Sequence, residues 1–262
     1  MRERCHGPNF IVNPTALRDV AFCGVNKDDL ADKTFLKSGA WLQAVKVMGV
    51  FVVSVDGPDF SGKTTVSNLL VEELRKRLPK QIIKKSEVPS SLVTGAFTKI
   101  LRNSTDSVDS RVFALTYAAD HLHHYNAVVK RLENASESYI LVQERSLLSS
   151  IIYQGLLGDV DMDWLWEINK YDLNIPHLQI ILKIDIKEIL ERKSVEKRDF
   201  DKFETAASLE AQAGAYYDLD PELSRKFNVK LIDIDSGRDA QAIACECADI
   251  VEAELKKAKA KV

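Results

Sequence analysis

Eight consecutive residues, Gly57-Pro58-Asp59-Phe60-Ser61-Gly62-Lys63-Thr64, carry two glycines, a lysine and a hydroxyl at the spacing GxxxxGK[ST]. Glycines at these places let the backbone wrap so that successive N–H groups point at phosphate oxygens, and a helix opening behind the loop adds a favourable dipole. Lys63 is expected to reach the β- and γ-phosphates, and Thr64 to offer an oxygen to Mg²⁺. The stretch from Gly57 to Thr65 therefore reads as a loop for a nucleoside triphosphate. Asn26-Lys27-Asp28-Asp29 fits the guanine-reading NKxD, yet it lies ahead of the loop and no DxxG follows, which argues against a GTPase. Glu144 closes a buried apolar run, where a carboxylate is expected to hold Mg²⁺ directly or through water. Arg192, Lys193, Lys197 and Arg198 cluster as cations suited to charge spread over a transferring phosphoryl group. His121 and His124 share a helix face while His123 points elsewhere, and no Cys or carboxylate cluster completes a metal set.

These groups need a frame to hold them. From Met48 onward, compact apolar runs alternate with amphipathic stretches. Strands are expected at Phe51–Val55, Gln81–Lys84, Tyr139–Gln143, Leu178–Ile184 and Val229–Asp233. Helices are expected at Thr64–Arg77, about Arg111–Asn134, about Lys187–Arg192, Ala206–Asp218 and Ala240–Lys257, with a further short one at Ala40–Val47. Five short apolar strands separated by helices imply an α/β fold: a doubly wound, five-stranded parallel sheet flanked by helices in three layers. Residues 1–47 read as an N-terminal extension of unknown role, and 48–262 as the P-loop domain.

Composition narrows the partners. With 262 residues, 45% of them hydrophobic, the chain can bury a full core. A net charge of −3 argues against a nucleic-acid coat or a polybasic membrane binder, but leaves room for a local basic pocket. No apolar run approaches the roughly 18–20 residues of a spanning helix, and the N-terminus lacks the apolar stretch of a secretory signal. Cys5, Cys23, Cys245 and Cys247 form no CxxC pair and read as reduced thiols of a cytoplasmic protein.

The run Phe51–Leu70 resembles the opening of thymidylate kinases, whose loop is typically GxDGxGKTT. Four later segments and the final loop resemble that family in its order. They are Tyr117-Ala-Ala-Asp-His-Leu-His-His124 (FAADRxxH), Glu144–Gly155 (DRYxxSSxAYQG, without a gap), Pro176-His-Leu, the lid segment Arg198–Glu204, and Asp233–Arg238. The resemblance covers residues 49 to about 255 and implies a nucleoside monophosphate kinase, using ATP and Mg²⁺ and working as a homodimer. It implies that Asp59 takes the sugar 3′-hydroxyl, that Arg145 bridges the acceptor phosphate, and that Tyr117 stacks on the acceptor base. Tyr153 would pack against C2′, Ser150 would meet the pyrimidine edge, and Arg192 and Arg238 would lie on the ATP side. Because the loop offers Phe60 in place of an arginine, the lid (about 191–204) is expected to supply the transfer cation, with Arg198 among the candidates.

The acceptor side departs from the family pattern. His121 replaces an arginine, Glu87-Val-Pro89 lacks the arginine of REP, and Ser146 replaces the tyrosine of DRY. ATP-dependent transfer to dTMP is the expected reaction, with dUMP or a modified deoxyuridylate as variants of it. A kinase for another nucleoside or nucleotide, and a non-catalytic nucleotide-binding regulatory protein, are the alternatives.

Overall fold

The structure is a computed structural model that describes residues 49–171, 175–219 and 230–260. The expected helix at Ala40–Val47, the thiols Cys5 and Cys23, and the extension 1–47 lie outside the described residues.

Among the described residues, five strands form one sheet: β1 (Val50–Asp56), β2 (Ile82–Glu87), β3 (Tyr139–Glu144), β4 (Leu178–Lys183) and β5 (Lys230–Asp235). Every pairing is parallel, as the run of apolar segments predicts, and the order is β2-β3-β1-β4-β5. Among the described residues, helices connect and flank them. They are α1 (Lys63–Arg77), α2 (Val93–Asn103), α3 (Ser110–His124), α4 (Leu147–Ser150), α5 (Met162–Asn169), α6 (Ile186–Val195), α7 (Ala206–Tyr217) and α8 (Ala240–Ala260). A wider π-helical turn, Tyr125–Val129, carries α3 on to Lys130–Glu133, and another, Ile151–Leu156, prolongs α4. Such turns rotate the following side chains off the regular helical faces.

The strands are apolar on both faces because both are covered. Val53, Val55, Ile140, Val142, Ile180 and Leu182 pack one way, against Leu70 and Leu74 of α1 and Ile243 and Val251 of α8. On the other face Val52 and Leu141 meet Tyr125 and Val129, and Ile181 meets Leu148, Ile152 and Tyr216. Each fully buried leucine or isoleucine contributes about 2–3 kcal/mol relative to exposure. The three layers follow from this pattern.

Sequence reading missed α2, α4 and α5. In α2 the apolar residues Val93, Phe97 and Ile100 face outward, so its stripe does not mark a core-facing side. Segment α5 is short, held at its start by the Asp161 carboxylate accepting from the Trp164 amide at 2.7 Å. β2 begins one residue later than expected and runs on to Glu87, because its ladder with β3 continues to Glu87 opposite Glu144.

This order places β1 between β3 and β4, so successive connections leave in opposite directions at the C-terminal ends of β1 and β3. A crevice for ligands opens at such a switch point. Gly57 and Arg145 follow directly on those two ends. Among the described residues, no helix is long and apolar enough to cross a membrane.

Candidate active site

The loop between β1 and α1 is built around unusual backbone. Gly57 has φ 154° and a Cβ there would stand 2.6 Å from the Leu182 carbonyl oxygen, so β4 presses directly on the loop. Gly62, at φ 84°, ends the turn and starts α1, and Phe60 holds φ 65° despite its side chain. The Ser61 amide closes the turn on the Pro58 carbonyl at 3.2 Å. Lys63 is buried, with its ammonium folded back to donate to the Pro58 carbonyl and 3.9 Å from Asp59. Burial, reinforced by the charge of Arg145, pulls its pKa down to about 7. Thr64 and Thr65 stand exposed at the start of α1.

Thr64 donates to the Glu144 carboxylate at 2.6 Å, and Lys85 approaches the other oxygen of Glu144 at 3.4 Å. A hydroxyl and a carboxylate oxygen side by side at the mouth of a phosphate loop form a hard-oxygen pair. That donor set suits Mg²⁺, with its remaining positions left to water and phosphate oxygens.

Arg145 follows β3 with φ 68°, a conformation costing a non-glycine residue about 1–3 kcal/mol and typical of functional positions. Its amide donates to the Val55 carbonyl at 3.0 Å, which locks the turn to β1. The guanidinium is thereby aimed across the sheet end and donates to Asp59 Oδ1. It also reaches the Ser149 and Tyr153 hydroxyls at 3.4 Å and lies over the Tyr153 ring. Burial pushes the Asp59 carboxyl up, but the charges of Arg145 and Lys63 outweigh it and hold the pKa at about 2. Its second oxygen, Oδ2, is buried and has no hydrogen-bond partner among the described residues. A buried acceptor left open in this way fits an incoming hydroxyl.

Beside Arg145 opens a pocket lined by Tyr117, His121, Arg145, Ser150 and Tyr153, five residues that the sequence nominates from two separate segments. The structure adds Arg102, Gln154 and Phe203 to its walls. Arg102 donates to Asp201 at 2.6 and 2.9 Å and to the Tyr117 hydroxyl at 3.2 Å, and it lies over the Phe203 ring. Oε1 of Gln154 is buried without a hydrogen-bond partner among the described residues. No sequence signal marked Arg102, because it lies on the helix that the reading missed. Below the pocket, the fully buried Asp56 accepts from the Ser146 amide and hydroxyl, from Ser149 and from Gln179, at 2.7–3.2 Å. Ser146 also caps α4 by accepting from the Leu148 amide. At this position a tyrosine would displace that compact network.

The lid cations divide. Arg192 donates to the Phe60 carbonyl at 3.0 Å and the Ser236 carbonyl at 2.7 Å, tying α6 to the phosphate loop and to the loop after β5. Arg198 is held by Glu204 and Glu196 while stacking over Phe60 and Phe200. Lys193 donates to the Glu204 carbonyl and lies over Phe200. Lys197 is exposed and makes no hydrogen bond or ion pair with the described residues. Arg238 is exposed and pairs with Glu246 at 2.6 Å, with its Nε donating to the Asp235 carbonyl at 3.2 Å. His123 meets the Thr94 hydroxyl at 3.1 Å, apart from His121 in the pocket. Burial pushes the Cys247 thiol up to about 12.

The family model described as thymidylate kinase matches residues 55–235. A probable thymidylate kinase of Pyrobaculum calidifontis is 33% identical over 200 residues, covering 76% of this chain and 95% of its own. One from Methanocaldococcus jannaschii is 34% identical over 158 residues, covering 59% of this chain and 77% of its own. The crystal structure of thymidylate kinase from Ehrlichia chaffeensis superposes with a TM-score of 0.57 at 20% identity, over 78% of this chain and 99% of that one, and so shares the fold.

Proposed function

Because this chain belongs to the thymidylate kinase family and is a phosphotransferase, we propose that it transfers the γ-phosphate of ATP to the 5′-phosphate of dTMP. The observation that carries this reading is the convergence of Arg102 and Arg145 on one pocket whose mouth adjoins the phosphate loop through Asp59. A nucleoside acceptor would not need that pair. Two guanidiniums would grip the acceptor phosphate and offset its repulsion from the donor. Oδ2 of Asp59 would take the 3′-hydroxyl, Tyr117 would stack on the base, and Tyr153 would close the sugar side.

Lys63 would leave the Pro58 carbonyl for the β- and γ-phosphates, and Arg192 would flank the loop on the adenine side. Thr64 and Glu144 would hold Mg²⁺, whose charge neutralises the β- and γ-oxygens when bound. Transfer is in-line, with no covalent enzyme intermediate. The lid cation facing the transferring group would be Arg198 once Glu196 and Glu204 release it, or Lys197, which has no ion-pair partner among the described residues.

His121 and Gln154 in the pocket favour a second, related acceptor. Imidazole and carboxamide each donate or accept, unlike the donor-only arginine of the family pattern, and uracil offers them the same O4 and N3–H as thymine and lacks only the 5-methyl group, so dUMP would also be taken. A homodimer built on α2 and α3 accounts for Val93, Phe97 and Ile100 on one helix and Val112, Leu115 and Leu122 on the other, all exposed. The cytoplasm or another reducing compartment suits the free Cys245 and Cys247.

A coupled ADP-release assay tests the assignment with Mg-ATP and dTMP, dUMP, dCMP, dGMP, UMP or thymidine, using Lys63→Ala as the blank. Turnover on dTMP that vanishes in the blank is expected. Turnover on thymidine alone would move the protein to the nucleoside kinases, and ATP binding without turnover on any acceptor would make it a nucleotide-binding regulator.

A further inference from the structure

Gln212 lies on α7, outside every motif, and its side chain is fully buried. All of its hydrogen-bonding positions are used. Oε1 accepts from the Asp59 amide at 3.0 Å and from the Tyr153 hydroxyl at 2.9 Å. Nε2 donates to the Phe203 carbonyl at 2.8 Å and to Ser208 Oγ at 3.2 Å. One carboxamide thus joins the phosphate loop, the wall of the acceptor pocket and the lid.

From this geometry we infer that Gln212 is a positioning residue that makes acceptor seating, loop order and lid closure depend on one another. The inference rests on the phosphoryl-transfer reading above. Three of its four partners, Asp59, Tyr153 and Phe203, each touch a different part of the site. The Asp59 amide sits in the loop whose side chain meets Arg145 and Lys63. The Tyr153 hydroxyl is shared with Arg145. Phe203 lines the pocket, packs edge-on against Phe113 and Tyr153, and carries the Arg102 guanidinium over its ring. A ligand that orders one of these segments lowers the entropic cost of ordering the others, which is coupling through a shared partner. The chemistry demands a carboxamide. Ionised glutamate has the same shape but only acceptors, so it keeps the Asp59 and Tyr153 bonds, accepts from the Ser208 hydroxyl in place of donating to it, and loses the one bond to the lid, at the Phe203 carbonyl.

The test uses the full chain with Gln212→Leu and Gln212→Glu, reading steady-state kinetics together with hydrogen exchange of loop residues 57–62 and lid residues 196–205. In the native chain, dTMP is expected to protect the loop, and ADP the lid. Gln212→Leu is expected to lose both cross-protections, with kcat lowered about 10-fold or more while KM for dTMP moves less than about 3-fold. Gln212→Glu is expected to be impaired near about pH 8 and to recover about 5-fold or more toward about pH 6, where a protonated carboxyl again donates to Phe203.

Native kcat and native cross-protection in Gln212→Leu would overturn the inference, even with a lowered melting temperature. So would a Gln212→Glu pH profile parallel to that of the native chain. If the native chain fails to turn over dTMP, the acceptor assignment falls while ADP-induced lid protection still reads the Gln212 link. Its loss in Gln212→Leu supports the link, and its retention overturns it.

Discussion

Arg145 and Asp59, 86 residues apart in the chain, form a direct buried ion pair across the open end of the sheet. The pair joins the residue that grips an acceptor phosphate to the loop that grips a donor phosphate. It exists because β3 lies beside β1 and because Arg145 adopts a left-handed backbone that throws its side chain across the gap. Each partner keeps something in reserve: Asp59 an oxygen with no hydrogen-bond partner among the described residues, Arg145 its long contacts to Ser149 and Tyr153.

Arg145→Lys should therefore behave as a severe change. A lysine ammonium cannot serve Asp59, Ser149 and Tyr153 from one planar fork. We expect kcat/KM for dTMP to fall about 100-fold or more, with ATP affinity within about 3-fold of native. Steady-state kinetics and ATP titration check both halves, and a kcat/KM near native would remove Arg145 from the acceptor site.

The Lys63 ammonium gives ATP binding a proton signature. With its pKa near 7 in the folded chain against 10.5 for a free side chain, the unfolded chain holds more protons between those values. Stability of the ligand-free chain therefore rises with pH across that window. Bound phosphates would restore the charge, so binding at about pH 8 should draw in close to one proton, and at about pH 6 almost none. Asp59, ionised throughout that range, adds nothing. Calorimetry in buffers of different ionisation enthalpy measures the uptake; buffer-independent heats at about pH 8 would contradict it, and Lys63→Ala should abolish it.

Asp56→Asn tests the network beneath the pocket. The carboxylate accepts from Ser146, Ser149 and Gln179, and an amide nitrogen cannot accept from any of them. A loss of about 2–4 kcal/mol in urea unfolding is expected, since buried donors would be stranded. A change within about 0.5 kcal/mol would mean that the network rearranges freely.

Phe97→Asp combined with Ile100→Asp should separate the proposed homodimer. Both side chains face out from α2, so the helix can form while the apolar surface is broken. Light scattering after size exclusion is expected to give twice the chain mass for the native protein and the single-chain mass for the variant. A native monomer at all concentrations would leave that face unexplained by self-association.

Much of this was legible from the residues alone. The phosphate loop could be read because its chemistry needs fixed types at fixed spacing, Gly57, Gly62, Lys63 and Thr64 within one turn. The strands were legible because a sheet covered on both faces demands short apolar runs, and the acceptor residues because their order follows a family pattern. Helix α2 was not, since its apolar stripe faces outward, and Arg102 was lost with it. The pairing of Arg238 with Glu246, two turns along the next helix, was likewise not marked by the motif that singled Arg238 out. The sequence by itself determined the fold class and the donor-side chemistry, which reside in local patterns. Only the tertiary structure decided which distant groups meet: Arg145 with Asp59, Arg102 with Tyr117, and Gln212 with loop, pocket and lid. Those meetings depend on strand order and helix rotation, long-range consequences of packing that no local spacing encodes.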